Sequence, residues 1–404
     1  MGNEINRIKG GDICSPKGFT AGSIFAGIKS PGQDKKDIGI IFSETECVSA
    51  GTFTQNSVVS PSVTWTKQTL KDNKLQAVVV NSGCANCAVG DQGFIDAKET
   101  AEIASKSLSI SINSIAVAST GIIGVELPMA LMRKFIPKIE LSTKDGAGFA
   151  RSILTTDKRT KEIAVSFDLG GTEVTVAGVA KGSGMIHPNM ATMLSFITSD
   201  ISIDSNILKK ALSESVNNSF NQISVDGDQS TNDTVLIMAN GKAGNKKITN
   251  IEDSKRFINA LDEVCIFLAK EIAKDGEGNT RLIEASVNGA KTLNDARKAT
   301  KYIVSSNLVK TAVYGRDPNW GRIMMAVGAS QIELDESKIE IFVNDIQIVA
   351  DGIATPYNHQ SVVIAMNQPT IRLTVNLNIG EESAKAWGSE LTEEYVVFNS
   401  AYTT

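Results

Sequence analysis

Thr192 stands where a nucleophile could be made. It closes the run Lys181-Gly182-Ser183-Gly184-Met185-Ile186-His187-Pro188-Asn189-Met190-Ala191-Thr192, and an apolar strand pattern begins at Met193. If the Ala191–Thr192 bond were cut, Thr192 would carry a free α-amine beside its own hydroxyl. An α-amine titrates near pH ~8, so it can act as general base for that hydroxyl. Few nucleophile designs dispense with histidine, and this chain has only 2, His187 and His359, each alone in sequence. A His-rich metal site cannot be built from them, and a Ser-His-Asp or Cys-His triad would have to use one of the two. A plain loop threonine is the competing reading of the same spacing.

Other segments carry usable chemistry. Ser119-Thr120-Gly121-Ile122-Ile123-Gly124 follows the strand pattern Ile115–Ala118. A glycine turn at a strand end leaves N–H groups free to hold an oxyanion, or is simply a turn. Glu277 lies between two glycines in Lys274–Thr280, which reads as an exposed, tightly turned loop; its carboxylate either meets a substrate ammonium or is solvated. Gly315–Arg322 reads as a charged corner or a subunit contact. Asp226-Gly227-Asp228 opens like a calcium loop, but Thr231 stands where glycine is required and Ile237 where the bidentate glutamate belongs. No P-loop and no Rossmann glycine fingerprint occurs. Cys84 and Cys87 form a C-x-x-C without a second ligand pair, and 5 cysteines do not make a disulfide framework. A thiol-based redox or metal-binding protein built on this pair is a separate functional class.

Regular elements must position these residues. Strand-like apolar runs occur at Ile38–Phe42, Gln76–Asn81, Ile115–Ala118, Glu162–Phe167, Val174–Ala180, Met193–Thr198, Val235–Asn240, Leu282–Val287 and Ile371–Leu377. Helical spacing marks Phe94–Leu108, a segment capped by Asp204 that carries Leu208, Leu212 and Val216, and Asp253–Lys274. Gly170-Gly171 predicts a tight hairpin between Glu162 and Ala180. The tail Ser383–Thr404 reads as a helix with a polar end. The chain is therefore α/β (α+β), with a soft boundary at Gly278–Arg281 separating a core of residues 1–280 from a C-terminal unit of residues 281–404. A net charge of -5 argues against a nucleic-acid partner, and 42% hydrophobic with 21% charged residues is a globular composition. The N-terminal segment lacks the apolar core of a signal peptide, Asn6 breaks the myristoylation pattern after Gly2, and no run approaches the ~18 residues of a membrane span. A cytoplasmic protein without a membrane partner is expected.

Together these segments resemble the ornithine acetyltransferase family, also called glutamate N-acetyltransferase. The resemblance runs almost end to end. It includes Lys17–Gly22, Gly51–Asn56, Asn81-Ser82-Gly83, Ser119–Gly124, Lys181–Leu194, Asp226-Gly227-Asp228, Thr231-Asn232-Asp233, Asp275–Gly278, Asp317–Arg322 and the closing Tyr402-Thr403-Thr404.

The resemblance implies a precursor that cuts itself between Ala191 and Thr192, giving an α chain of residues 1–191 and a β chain of residues 192–404 in an α₂β₂ assembly. It implies a layered α/β sandwich related to self-processing N-terminal-nucleophile enzymes such as DmpA-like amidases. Thr192 would attack the acetyl carbonyl of N²-acetyl-L-ornithine, with Thr120 and Gly121 holding the oxyanion, and L-glutamate would take the acetyl group. Substrate contacts fall on Thr155, Lys181, Thr192, Glu277, Asn399 and Thr404. Of these, Lys181 suits a carboxylate and Glu277 an ammonium. No metal or cofactor is implied, although some members also accept acetyl-CoA. A form without acetyl-CoA activity and a related amidase or aminopeptidase are the alternatives. The chain departs from the family's pattern at Cys84 and Cys87, and in the basic Lys158-Arg159 after Thr155-Thr156-Asp157, where either threonine fits the contact.

Overall fold

The computed structural model describes residues 4–29, 35–187 and 193–401; Ala191, Thr192 and Thr404 lie outside the described residues. All nine strand patterns form strands. In chain order the strands are β1 (Asn6–Arg7), β2 (Phe19–Ile24), β3 (Ile38–Phe53), β4 (Lys74–Cys84), β5 (Ile115–Ile122), β6 (Lys161–Leu169), β7 (Thr172–Lys181), β8 (Leu194–Ser199), β9 (Ile223–Ser224) and β10 (Thr234–Ala239). They continue with β11 (Leu282–Ala290), β12 (Glu340–Val343), β13 (Ile346–Ala350), β14 (Ile353–Ala354), β15 (Thr370–Asn376) and β16 (Glu382–Ser389). Nine strands form one sheet in the order β1-β6-β7-β8-β10-β3-β4-β5, with β2 paired to β3. The second sheet runs β14-β13-β12-β15-β11-β16-β9, so one short strand from before residue 281 joins it.

Helices cover these sheets because their apolar stripes require it. The helices are α1 (Pro61–Thr69), α2 (Gln92–Leu108), α3 (Met129–Phe135), α4 (Gly146–Ser152), α5 (Ser205–Asn218), α6 (Ile251–Lys274), α7 (Leu293–Ser305), α8 (Asn307–Gly315), α9 (Trp320–Ala329), α10 (His359–Ala365) and α11 (Glu393–Ala401). Phe257, Leu261, Cys265, Leu268 and Ile272 of α6 are fully buried, in one core with Val165, Val176 and Ile197 of the large sheet. Ala97, Ala101 and Ala104 of α2 pack with Val79 and Val117 of β4 and β5. Asp204 caps α5 by accepting from Asn206 N at 2.9 Å. Leu169 pairs with Thr172 across Gly170 and Gly171, whose φ values of 64° and 88° supply the hairpin turn.

Two readings of the sequence need correction. The tail does not start as a helix: Glu382–Ser389 is β16, held between β11 and β9, and only Glu393–Ala401 is helical. Its Ala, Lys and Glu residues favour a helix, but two hydrogen-bonded neighbours outweigh that preference. The glycine turn expected at Ser119–Gly124 does not follow directly after Ala118, since β5 runs on through Ile122. Its pairing with β4 slips at Gly83 and Cys84, which re-aims the strand at Thr120 and Gly121.

Candidate active site

That slip is made possible by two glycines. Gly121 has φ 134°, and a Cβ there would stand 2.3 Å from the carbonyl carbon of Gly83. At Gly83, with φ 108°, a Cβ would stand 2.9 Å from the backbone N and Cα of Lys29. A buried polar network backs this crossing: Ser119 Oγ donates to Asn81 Oδ1 at 2.7 Å and pairs with Ser62 Oγ at 2.8 Å. Asn232 ties the far side in, donating to the carbonyl oxygens of Ala85 (2.5 Å) and Ser119 (2.8 Å). The bend of β3 brings these parts together, because its start pairs with β4 and its end with β10, with the register broken between Phe42 and Cys47.

The crossing borders a cavity of about 210 Å³. Thr120, Gly121, Thr155, Thr156, Lys181, Glu277 and Asn399 all line it, as do Met193 and Leu194, the residues that follow Thr192. Lys181 ends β7, opposite Leu194 in register. Its ammonium donates to Thr120 Oγ1 at 3.4 Å. Burial lowers the Lys181 pKa below the usual lysine range, and the nearby Asp157 carboxylate works against that shift. With Lys181 as donor, the Thr120 hydroxyl keeps its own proton for another acceptor.

Glu277 is buried, at 7% exposure, not on an exposed loop as its glycine neighbours suggested. Those glycines serve close packing: a Cβ on Gly278 would meet Tyr395 N at 2.7 Å, and one on Gly276 would meet Ser389 Cβ at 3.0 Å. The C-terminal helix α11 therefore lies directly over this loop. From it, Asn399 Nδ2 donates to Glu277 Oε2 at 2.8 Å, and the Tyr395 hydroxyl donates to Asp226 Oδ2 at 3.3 Å. On the other side, Thr156 Oγ1 donates to Glu277 Oε1 at 2.6 Å. Thr155 lines the cavity, and its backbone N–H donates to Asp157 Oδ2 at 3.1 Å. Asp226, Asp228, Asp233 and Glu277 face the cavity with Lys181, a predominantly acidic lining that suits a substrate ammonium. Asp226, Ser183 and Tyr395 have no part in the sequence reading of the site. The Asp226-Gly227-Asp228 motif was the available signal for the first of them.

The other candidates do not gather here. His187 is half-buried, with Nδ1 3.1 Å from Ser224 Oγ and 3.4 Å from Ser305 Oγ. Burial, then Lys301 and Lys310, bring its pKa down to about 4, so the ring is uncharged at neutral pH. Cys84 and Cys87 are both buried, and desolvation raises the Cys84 thiol pKa, which suits neither attack nor metal binding. Among the described residues no group of three or more His, Cys, Asp or Glu is placed to hold a metal, and no helix is long and apolar enough to cross a membrane.

Comparison with known proteins identifies the family. The family model described as "ArgJ family" matches residues 20–404. The chain belongs to the ArgJ family. The arginine biosynthesis bifunctional protein ArgJ of Dehalococcoides mccartyi (strain CBDB1) is 44% identical over 405 residues, covering 100% of both chains. That of Oceanobacillus iheyensis is 43% identical over 403 residues, 99% of this chain and 98% of the relative. The crystal structure of the Bacillus halodurans arginine biosynthesis bifunctional protein argJ matches with a TM-score of 0.51 at 43% identity, covering 52% of this chain and 100% of its own. The cavity between the Gly83–Gly121 crossing and α11 is thus a feature of an ArgJ-family chain, and the layered α/β fold is the one the sequence motifs implied.

Proposed function

We propose that this chain is a cytoplasmic acetyltransferase of arginine biosynthesis that moves the acetyl group of N²-acetyl-L-ornithine to L-glutamate. The observation that carries the reading is the cavity itself, where Thr120, Gly121, Lys181, Glu277 and Asn399 meet the start of the segment that follows Thr192. In the proposed cycle Thr192 Oγ attacks the acetyl carbonyl, and the Thr192 α-amine takes the hydroxyl proton. The Thr120 hydroxyl and the Gly121 N–H hold the oxyanion. The C–N bond to ornithine breaks, the amine returns the proton to the departing nitrogen, and an acetyl ester remains on Thr192. The glutamate amine then attacks the ester, freeing the Thr192 hydroxyl and N-acetyl-L-glutamate. Thr155, Lys181, Glu277, Asn399 and Thr404 bind the substrates, Lys181 the α-carboxylate and Glu277 the ammonium of ornithine.

The cycle requires a cut between Ala191 and Thr192. Consistent with a chain that works in two pieces, the solved B. halodurans chain is matched along its whole length by only 52% of this one. The proposal extends to an α₂β₂ assembly, to acetyl-CoA as a second acetyl donor, and to residues 1–280 and 281–404 as the two structural units. No cofactor is required. Denaturing mass analysis of the purified protein tests the cut: two fragments meeting at Ala191/Thr192 are expected, and an intact chain, or full activity in Thr192→Ala, overturns the mechanism. Offering glutamate with acetyl-ornithine and with acetyl-CoA in separate reactions tests the second donor.

A further inference from the structure

The hydrogen bonds around Glu277 run in one direction. Thr156 Oγ1 is 2.6 Å from Glu277 Oε1 and 2.7 Å from Ser183 Oγ. A hydroxyl has one proton. The carboxylate can only accept, so Thr156 commits its proton to Glu277 and must accept from Ser183. Ser183 is buried at 1% exposure, and its carbonyl also accepts the Glu277 N–H at 3.0 Å. Asn399 occupies the second carboxylate oxygen at 2.8 Å. Gly184 leaves the room: a Cβ there would stand 2.4 Å from Glu277 Oε1. The carboxylate is therefore set in place from three separate segments, and Thr156 is the one that ties it to the chain leading toward residue 192.

We infer that Thr156, backed by Ser183, is a positioning residue that orients the Glu277 carboxylate for the substrate ammonium and so sets the affinity for the acetyl-ornithine donor. This rests on the reading that Glu277 meets that ammonium. Neighbouring Thr155 cannot substitute, since it is Thr156 that carries the bond to the carboxylate.

Steady-state kinetics with acetyl-ornithine and glutamate on the processed enzyme tests the inference. Thr156→Val removes the hydroxyl and keeps the shape. It is expected to raise KM for acetyl-ornithine about tenfold, the size of losing a hydrogen bond to a charged group, while kcat changes much less. Thr156→Ser keeps the hydroxyl and restores a near-native KM. Adding Thr156→Val to Glu277→Gln produces no further rise, because the carboxylate it positions is already gone. If the valine variant fails to mature, Thr156→Ala reads the same KM. An unchanged KM in the Val or Ala variant alongside an impaired Glu277→Gln overturns the role of Thr156 alone. So does a Ser variant as impaired as Val, or a double variant in which the two effects multiply. An unchanged KM in Glu277→Gln overturns the reading of Glu277 itself, and the inference with it.

Discussion

In the proposed cycle, a single hydrogen bond between Lys181 and Thr120 prepares the oxyanion site. The lysine supplies the donor that the Thr120 oxygen accepts, so the threonine proton is left to point into the cavity. Replacing Thr120 by Val removes that donor while leaving Gly121 in place. The expected result is a fall in kcat of about 100-fold with a much smaller change in KM, the usual effect of losing one oxyanion donor. Equal kcat in the variant would remove Thr120 from the oxyanion site. His187 gives a second residue-level expectation, this time in stability. Its folded pKa is about 4, against about 6.5 in an unfolded chain. Between those values the unfolded chain takes up a proton that the folded chain refuses, so stability falls as the pH drops through that window. The wild type should therefore lose more of its melting temperature between pH 7 and pH 4 than His187→Gln does. Parallel melting curves would count against this.

At the scale of elements, the proposed binding residues hang on one buried ionic cluster. Lys161 Nζ, at the start of β6, donates to Asp157 Oδ1 and Asp275 Oδ2, both at 2.7 Å. Asp157 follows Thr155 and Thr156, and its Oδ1 also accepts the Gly182 N–H at 2.6 Å, next to Lys181. Asp275 closes α6 two residues before Glu277. The cluster thus spaces the threonine bend, the end of β7 and the Glu277 loop from one another. Burial would raise the Asp157 pKa, but Lys161, Lys181 and the Gly182 N–H outweigh it and hold the carboxyl well below the usual carboxylate range. Its contribution is present above the ordinary carboxylate pKa of about 4 and is lost as the pH falls further. Lys161→Met leaves two carboxylates buried without the cation between them and is expected to cost about 3–5 kcal/mol. Chemical denaturation at neutral pH measures this, and a loss under about 1 kcal/mol would mean the cluster does not hold the site together. None of this was legible in sequence, where Lys161 stands just ahead of the strand pattern Glu162–Phe167 with nothing to mark its partners. Nine strands and the helices α2, α5 and α6 were legible because their apolar periods are local. The helix α7 was missed although its signal was present: Thr292 accepts from Asp295 N at 3.1 Å and donates to Asp295 Oδ2, a reciprocal cap. The burial of Glu277 had no local signal at all, since the lid over it is formed by α11, more than a hundred residues away in sequence.

At the scale of the whole molecule, the sheet order decides what a cut at Ala191/Thr192 does. Lys181 and Leu194 flank the proposed cut and are paired in register, at the end of an antiparallel ladder that runs back to Val176–Ser199. On its other side, β8 pairs with β10, and β10 pairs along its whole length with β3, from Thr234–Phe53 to Ala239–Val48. The order β7-β8-β10-β3 therefore inserts two strands from beyond the cut between two strands from before it. Both outer edges of the inserted pair are hydrogen-bonded to the other piece, and their apolar faces are buried in cores shared by both pieces. Separating the pieces would break both ladders and expose the interior of the sheet, which amounts to unfolding the protein. After cleavage the two fragments are expected to run as one species in size exclusion at high salt, to melt in one cooperative transition, and to part only in denaturant. Screening would weaken an association held by surface charge but not one held by an interleaved sheet. Release of either fragment under native conditions would show that the cut does not fall between β7 and β8, or that the sheet rearranges after it.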